Sequence, residues 1–195
     1  RISQLNEFND LMGVDLLMVF GEEVAAAYRP YLNKFRVNVI CVGSAELDNL
    51  RTKENIYYIK HGRTISILYA TTNLYFNYWY CGIEPPFIDR FFYNTQLQIM
   101  NGLNQILKSN QEVSLTVKFH PLLDRIDPPW IKDFKNKRIN YIKSIPSFSD
   151  LIFQSDVIII DIPTTTNLQA ISTKRPVFVL IRHWRFPQRT LQILK

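Results

Sequence analysis

Short runs of apolar residues recur along the chain, and they predict the strands of a buried sheet. The run at residues 157–160 is unbroken and rich in β-branched side chains, which is typical of a strand covered on both faces in a parallel sheet. Similar runs occupy residues 14–20, 37–42, 64–70, 113–119, 139–142 and 177–181. Helical patterns separate most of these runs, so the chain alternates between strands and helices.

The helical patterns carry their own start and stop signals. Residues 22–32 begin with two glutamates, which the helix dipole favours in a first turn. Residues 87–109 carry apolar side chains at three-to-four spacing, and residues 165–173 follow threonines that can cap a helix. We also expect a helical turn at 130–135 and a helix at 150–154, capped by the loop 144–149. From residue 64 onward, this order predicts a doubly wound, Rossmann-like parallel α/β sheet with helices on both faces.

Two domains are expected. Residues 1–62 contain a strand–helix–strand unit, whose second strand is followed by a polar loop around Asp48. Residues 49–63 are polar and predict a connector, so we place the boundary between 1–62 and 63–195. The chain starts at Arg1 rather than Met and stops within a helical pattern, and we expect it to be part of a longer protein.

Composition narrows the possible partners. The 195 residues are 47% hydrophobic, with a net charge of +6. The sequence contains no run of five or six like charges, so a nucleic-acid-binding arm is not predicted. The positive excess fits a phosphate-bearing ligand or an anionic membrane surface. Cys41 and Cys81 lack metal-ligand spacing and are expected to be buried free thiols in a reducing compartment. No apolar run is long enough to span a membrane, and no signal peptide is recognisable.

An aromatic-rich stretch at residues 74–93 leaves two interpretations open. It carries nine aromatic side chains around a Glu-Pro-Pro break at 84–86. Aromatic residues tend to be buried, which favours an insertion that fills the core. So many in one strand-to-helix segment could instead form a partly exposed platform for an acceptor, a lipid tail or another domain.

Candidate chemistry clusters after the strand at 157–160. Asp161 ends the strand, and Thr164, Thr165 and Thr166 open the next helix. Ligands of open α/β sheets sit at the carboxyl ends of strands, and hydroxyls at a helix N-terminus suit phosphate. The alternative is that the threonines only cap the helix. His120 ends the strand at 113–119 and could point into the same cleft, although no Asp or Ser partner for nucleophilic catalysis is evident. No metal-ligand spacing appears, and no metal site is predicted.

These residues also carry a family resemblance. KFHP at 118–121 and SIPSFSDLIFQSDVIIIDIPTTTNLQAISTKRPVFVL at 144–180 resemble the C-terminal domain of bacterial surface-carbohydrate transferases with the GT-B architecture. That group includes capsule and teichoic-acid polymer transferases of the CDP-glycerol glycerophosphotransferase type. The shared pattern is a strand ending in His-Pro, a Ser-Asp–strand–Asp element, a Ser/Thr pair opening a helix, and a basic residue before Pro and the next strand. It covers residues 64–181.

The resemblance implies a role for each matching residue. Thr164, Thr165 and Thr166 would hold the donor diphosphate, and Asp161 is expected to be a donor-binding residue as well. His120 would lie against the phosphates or act on the leaving group. The loop 145–149, with Ser147 and Ser149, would frame the nucleotide base. Gln169 stands where many relatives have a Glu that accepts hydrogen bonds from the donor ribose. Residues 1–62 would be the tail of the N-terminal domain, and 63–195 the nucleotide-donor-binding C-terminal domain.

The function expected from this resemblance is transfer of a sugar or polyol phosphate. The donor would be nucleotide-activated, and the acceptor a cell-surface polysaccharide or lipid-linked chain of the capsule or cell envelope. Neither a cofactor, a metal nor nucleic acid is expected, and the protein would be cytoplasmic, with peripheral contact to the inner face of the plasma membrane as a possibility. Two alternatives stay open: a nucleotide-sugar epimerase of the same architecture, or a non-catalytic binding or scaffold module. The transferase interpretation requires that Asp161, Thr165 and His120 converge on one cleft.

Overall fold

The computed structural model describes residues 10–54, 64–74, 87–121, 127–162 and 164–180. The chain divides into two compact units, Arg1–Asn49 and Leu50–Lys195. The sequence pattern places the division after residue 62 instead, where the neighbouring residues 55–63 lie outside the described ranges.

The first unit contains the expected strand–helix–strand arrangement. Strands β1 (Leu16–Val19) and β2 (Asn38–Cys41) pair in parallel, and helix α1 (Glu22–Phe35) connects them. Helix α1 extends beyond the predicted end at residue 32 and contains Pro30. It stops at Arg36, whose left-handed backbone (φ 55°) turns the chain out of the helix.

Two expectations for this part of the chain are wrong. The polar loop around Asp48 and the start of the predicted connector form helix α2 (Ala45–Glu54). This helix has acids in its first turn and bases in its last, which suits the helix dipole, but it lacks the apolar stripe on which the helix prediction relies. Cys41 is exposed rather than buried, and its thiol donates to Glu22 Oε1 at 3.2 Å. Within the described residues its strand pairs only with β1, so little covers it. Cys81 lies outside the described residues.

The second unit is built on a five-stranded sheet. Its strands are β3 (Ile65–Ala70), β4 (Val113–Lys118), β5 (Ile139–Ile142), β6 (Val157–Ile160) and β7 (Val177–Val179). They are all parallel, in the order β5-β4-β3-β6-β7. From β3 the chain moves outward through β4 and β5, then returns to the other side of β3. This reversal is the topology of a doubly wound sheet, and it confirms the predicted fold class.

The helical segments agree with their predictions in order; the helix at 87–109 has the predicted bounds, and each of the others differs at one end or both. They are α3 (Phe87–Ser109), a 3-10 helix (Pro129–Asp133), α4 (Phe148–Leu151) continued by a 3-10 turn (Ile152–Gln154), and α5 (Thr165–Ile171). Helix α5 stops two residues before the predicted end, since the hydroxyls of Ser172 and Thr173 donate to carbonyls of its last turn. None of the described helices is both long and apolar enough to cross a bilayer.

The core lies between α3 and the β3–β4–β5 half of the sheet. Met100, Leu103 and Leu107 of α3 pack with alternate residues of β3 and β4, and fully buried Trp130 closes the cluster. Part of the aromatic-rich stretch joins this core: Leu74 is buried, and the partly buried Phe92 and Tyr93 pack against it. Phe91 is exposed. Residues 75–86 lie outside the described ranges, so the platform hypothesis stays a prediction.

Arg138 fastens the turn that joins α3 to β4. Its guanidinium donates to the carbonyls of Asn110, at 2.5 Å, Val113, at 3.1 Å, and Leu107. These carbonyls lie at the end of α3 and the start of β4, so the Arg138 side chain, which directly precedes β5, holds α3, β4 and β5 together.

We expect Arg138→Met to lower the free energy of unfolding by about 1–2 kcal/mol, because several charge-assisted hydrogen bonds to backbone carbonyls are lost while the apolar stem is kept. Urea denaturation measures the change. The neighbouring Lys137→Met removes an exposed charge and is the matched control. Equal effects of the two substitutions would contradict a clamping role for Arg138.

Candidate ligand-binding cleft

A cleft of about 420 Å³ opens at the carboxyl edge of the five-stranded sheet. It lies where the strand order reverses, which is the usual ligand position in doubly wound folds. Its walls come from the ends of three strands and from the loop after β5. The lining residues are Ala70–Asn73 at the end of β3, Lys118–Pro121 at the end of β4, Ser144, Ser147 and Phe148 after β5, and Ile160–Ile162 with Thr164–Thr166 at the end of β6.

A buried carboxylate, that of Asp161, forms the base of this cleft. The backbone N–H of Thr72 donates to both carboxylate oxygens, at 2.8 and 3.0 Å. The Tyr69 hydroxyl and Gln96 Nε2 donate to Oδ2, at 3.1 and 3.3 Å. Asp161 thus ties the end of β6 to the end of β3 and to α3. The protein's own donors surround both of its oxygens, so Asp161 acts on the shape of the cleft.

This hydrogen-bond network continues into the core. Gln96 is fully buried on α3, and its Nε2 also donates to the carbonyl of Thr72 at 3.0 Å. Its Oε1 accepts from Trp130 Nε1 at 3.1 Å. Each polar atom of this amide and indole therefore has a partner, as buried polar groups require. The loop after β3 is held through both its N–H and its carbonyl groups.

Burial dominates the ionisation of this network. It raises the pKa of Asp161 from 3.8 to about 6, and the hydrogen bonds from Thr72, Tyr69 and Gln96 partly offset the shift. Burial also raises the pKa of Tyr69 well above its usual value, with Asp161 as the second cause. Tyr69 consequently stays a hydrogen-bond donor throughout the physiological range.

A buried cation, Lys118, lies on the β4 side of the cleft. Its ammonium group donates to the carbonyl of Ser144 at 2.9 Å and to that of Lys143. Only 4% of the residue is exposed. The side chain thus joins the end of β4 to the loop after β5 and keeps a positive charge beside the cleft.

His120 is the exposed residue that follows this strand. Loss of hydration around its ring, and secondarily the charge of Lys118, lower the pKa of His120 below its usual 6.5. Above that pH the ring is neutral, so it can present one N–H donor and one acceptor nitrogen.

The three threonines lie on the β6 side. Thr164 is the N-cap of α5 by backbone geometry, yet its side chain makes no capping hydrogen bond. Its Oγ1 is instead 3.1 Å from Oγ1 of Thr166. The alternative that these threonines serve only as caps thus finds no support at Thr164. All three hydroxyl-bearing residues line the cleft, and Thr164 and Thr165 are exposed.

The predicted site residues of the preceding loop have structural partners. Ser147 forms a capping box with Asp150, whose backbone N–H donates to Ser147 Oγ at 3.3 Å. Ser147 Oγ also lies 2.9 Å from Ser149 Oγ. The Ser147 hydrogen bond is the main cause that lowers the pKa of Asp150. Ser147 lines the cleft, whereas Ser149 is not among the described residues that line it.

Two other residues of the matched pattern lie away from the cleft walls. Gln169, the counterpart of the ribose-binding Glu, is not among the described lining residues. Asp156 precedes β6 at the opposite edge of the sheet, where its Oδ2 accepts from the backbone N–H of Ser66 at 2.8 Å. Asp156 therefore sets the register of β6 against β3.

His120, Asp161 and Thr165 converge on one cleft, which is the condition that the transferase interpretation requires. The predicted site does not include the loop after β3, although Thr71, Thr72 and Asn73 line the cleft. Their position after the first strand of the unit was a usable signal, because neighbouring parallel strands end at the same edge. Among the described residues, no cluster of three or more His, Cys, Asp or Glu side chains could hold a metal ion.

Comparisons with known proteins find a distant likeness among solved structures. No family model matches the chain, and no curated protein matches it. A solved structure of the wall teichoic acid polymerase TagF with CDPG is similar, at 17% identity and a TM-score of 0.41. The match covers 85% of this chain and 37% of that chain, so this sequence spans well under half of the polymerase's length. The fold assignment rests on the strand order described above.

The ionisation of Asp161 predicts a pH-dependent stability that Asp161→Asn should remove. Between pH 3.8 and about pH 6, the Asp161 carboxyl keeps its proton in the folded protein but has lost it in the unfolded chain. The contribution of Asp161 to the free energy of unfolding is therefore fully present below pH 3.8. It decreases by up to about 3 kcal/mol as the pH rises through about 6. The asparagine variant does not titrate, so its stability relative to wild type should increase over this interval.

Urea denaturation at several pH values measures this difference between the two proteins. Exposed Asp133→Asn is the control, and its curve should run parallel to wild type. If Asp161→Asn also runs parallel to wild type, the carboxyl does not titrate in this range.

Proposed function

We propose that the chain binds a nucleotide-activated sugar or polyol donor in this cleft and belongs to a transferase that elongates a cell-surface polysaccharide. The proposal rests on one observation. A buried lysine (Lys118), a histidine (His120) and three threonines (Thr164–Thr166) line one cleft, at the point where the strand order of the doubly wound sheet reverses. In this proposal Leu50–Lys195 is the donor-binding domain of a GT-B architecture, and the acceptor is a polysaccharide or lipid-linked chain.

The two sides of the cleft suit a diphosphate. The Thr164–Thr166 segment offers hydroxyl and backbone N–H groups that can donate hydrogen bonds to phosphate oxygens. Opposite them, Lys118 supplies a positive charge that its carbonyl partners hold in place. When the bond to the transferred group breaks, negative charge develops on the leaving nucleoside diphosphate. Donors already fixed around it stabilise that charge without reorganising.

His120 adds a donor at the same position. Because its ring is neutral above pH 6.5, one N–H can bond a phosphate oxygen of the leaving group while the other nitrogen stays unprotonated. A proton on the second nitrogen would add a positive charge beside the diphosphate. The contribution of His120 to binding should therefore increase as the pH falls.

Titration calorimetry with CDP, UDP, GDP and CMP tests the proposal. We expect one nucleoside diphosphate to bind, and the Thr165→Ala/Thr166→Ala double variant to weaken it by about tenfold or more, since two hydroxyl donors are lost. Thr95→Ala is the matched control, because the Thr95 hydroxyl bonds Phe91 O on α3 and does not line the cleft. Folded wild type that binds no nucleotide would overturn the proposal and favour a binding or scaffold module.

The role of His120 predicts a particular pH dependence of nucleotide affinity. Bound phosphate stabilises the imidazolium, so wild type should gain affinity relative to His120→Gln as the pH falls below 6.5. The nucleotide's own protonation affects both proteins equally and cancels in their ratio. Dissociation constants measured between pH 5.5 and pH 8 supply that ratio. A ratio independent of pH would mean that His120 does not contact the phosphates.

A further inference from the structure

Two buried side-chain oxygens of residues that line the cleft have no hydrogen-bond partner in the described part of the chain. They are Thr71 Oγ1 and Asn73 Oδ1. Each residue is only 7% exposed, so bulk water does not replace the missing partner, and each lines the cleft. Native proteins rarely leave such groups without a partner, because burial removes their hydrogen bonds to water and no other hydrogen bond replaces them, which destabilises the fold. A ligand in the cleft can supply the missing hydrogen bonds.

The loop that carries these oxygens is held in place. The backbone N–H of Thr71 donates to the carbonyl of Lys118 at 3.0 Å. Thr72 is fastened by its N–H to Asp161 and by its carbonyl to Gln96. Three hydrogen bonds to three different elements thus fix the backbone on which Thr71 and Asn73 stand. A site formed in advance in this way loses little conformational entropy when a ligand binds.

The chemistry of the two oxygens selects the ligand group. A carboxamide oxygen only accepts hydrogen bonds, so Asn73 Oδ1 requires an O–H or N–H of the ligand. A hydroxyl such as Thr71 Oγ1 can donate or accept. Ionised phosphate oxygens offer no hydrogen to Asn73, whereas the hydroxyls of a sugar or polyol satisfy both residues.

Strand order places these residues between the two phosphate-binding sides of the cleft. They follow β3, which lies between β4, followed by His120, and β6, followed by Thr164–Thr166. A hydroxyl-bearing group attached to a diphosphate would therefore reach Thr71 and Asn73 while its phosphate oxygens contact the two sides.

We propose that Thr71 and Asn73 bind hydroxyl groups of the transferred sugar or polyol and thereby distinguish the complete donor from its nucleoside diphosphate. This inference rests on the proposed function, because it assumes a nucleotide-activated donor in the cleft.

Stability of the free protein gives the first test. Thr71→Val replaces an unpartnered hydroxyl with a methyl group, so we expect the melting temperature to stay unchanged or to rise. Thr173→Val is the matched control: Thr173 is equally buried, but its hydroxyl donates to Ala170 O at 2.7 Å. That variant should melt several degrees lower. Equal losses of stability in the two variants would show that Thr71 has a partner within the protein, and would overturn its assignment.

Ligand discrimination gives the second test. Calorimetry compares CDP with CDP-glycerol and UDP with UDP-glucose, for wild type, Thr71→Val and Asn73→Leu. We expect each variant to bind the preferred donor roughly fivefold to tenfold more weakly than wild type, and to bind the bare nucleoside diphosphate as wild type does.

The outcomes separate the inference from the function on which it rests. If neither diphosphates nor complete donors bind the folded wild type, the proposed function fails. If the diphosphate binds but the variants lose affinity for it and for the donor by the same factor, or lose none, only the assignment of Thr71 and Asn73 is overturned.

Discussion

The cleft depends on one buried carboxylate. Asp161 draws together the ends of β3 and β6 and the helix α3, because the N–H of Thr72, the Tyr69 hydroxyl and the Gln96 amide all donate to it. Without these donors the carboxylate would be an unpaired buried charge, which folded proteins rarely tolerate. Through Gln96 the same network reaches the indole of Trp130, so the shape of the cleft is tied to the hydrophobic core.

In this arrangement, the residues that hold the cleft in shape differ from those that can contact a ligand. Asp161 and Gln96 have their hydrogen bonds filled within the protein, and they position the loop after β3. Lys118 supports the β4 side in a similar way through backbone carbonyls, yet keeps its charge beside the cleft. The groups that line the cleft and can contact a ligand include the hydroxyls of Thr164–Thr166, the His120 ring, and the side-chain oxygens of Thr71 and Asn73, which have no partner among the described residues. Proteins commonly hold functional groups on a rigid scaffold in this way.

For several residues, the family resemblance implies a role in ligand binding, whereas the geometry shows a structural role. Of the acidic pair that flanks β6, Asp156 sets strand register at one edge and Asp161 shapes the cleft at the other. Ser147 caps a short helix, and Gln169 lies outside the described cleft walls. A motif aligned along a sequence does not distinguish side chains that face a ligand from those that hold the backbone. Hydrogen-bond partners make that distinction.

The sequence by itself determined the order and type of the elements and the parallel class of the sheet, because burial on both faces leaves unbroken β-branched runs that periodicity detects. It also placed His120 and Thr164–Thr166 at strand ends. It missed helix α2, which has no apolar stripe, and the exposure of Cys41, which depends on tertiary contacts. Only the tertiary structure decided that β3 is central, that Asp161 is buried beneath the cleft, and that the side-chain oxygens of Thr71 and Asn73 have no partner among the described residues. These facts depend on contacts between residues far apart in the chain.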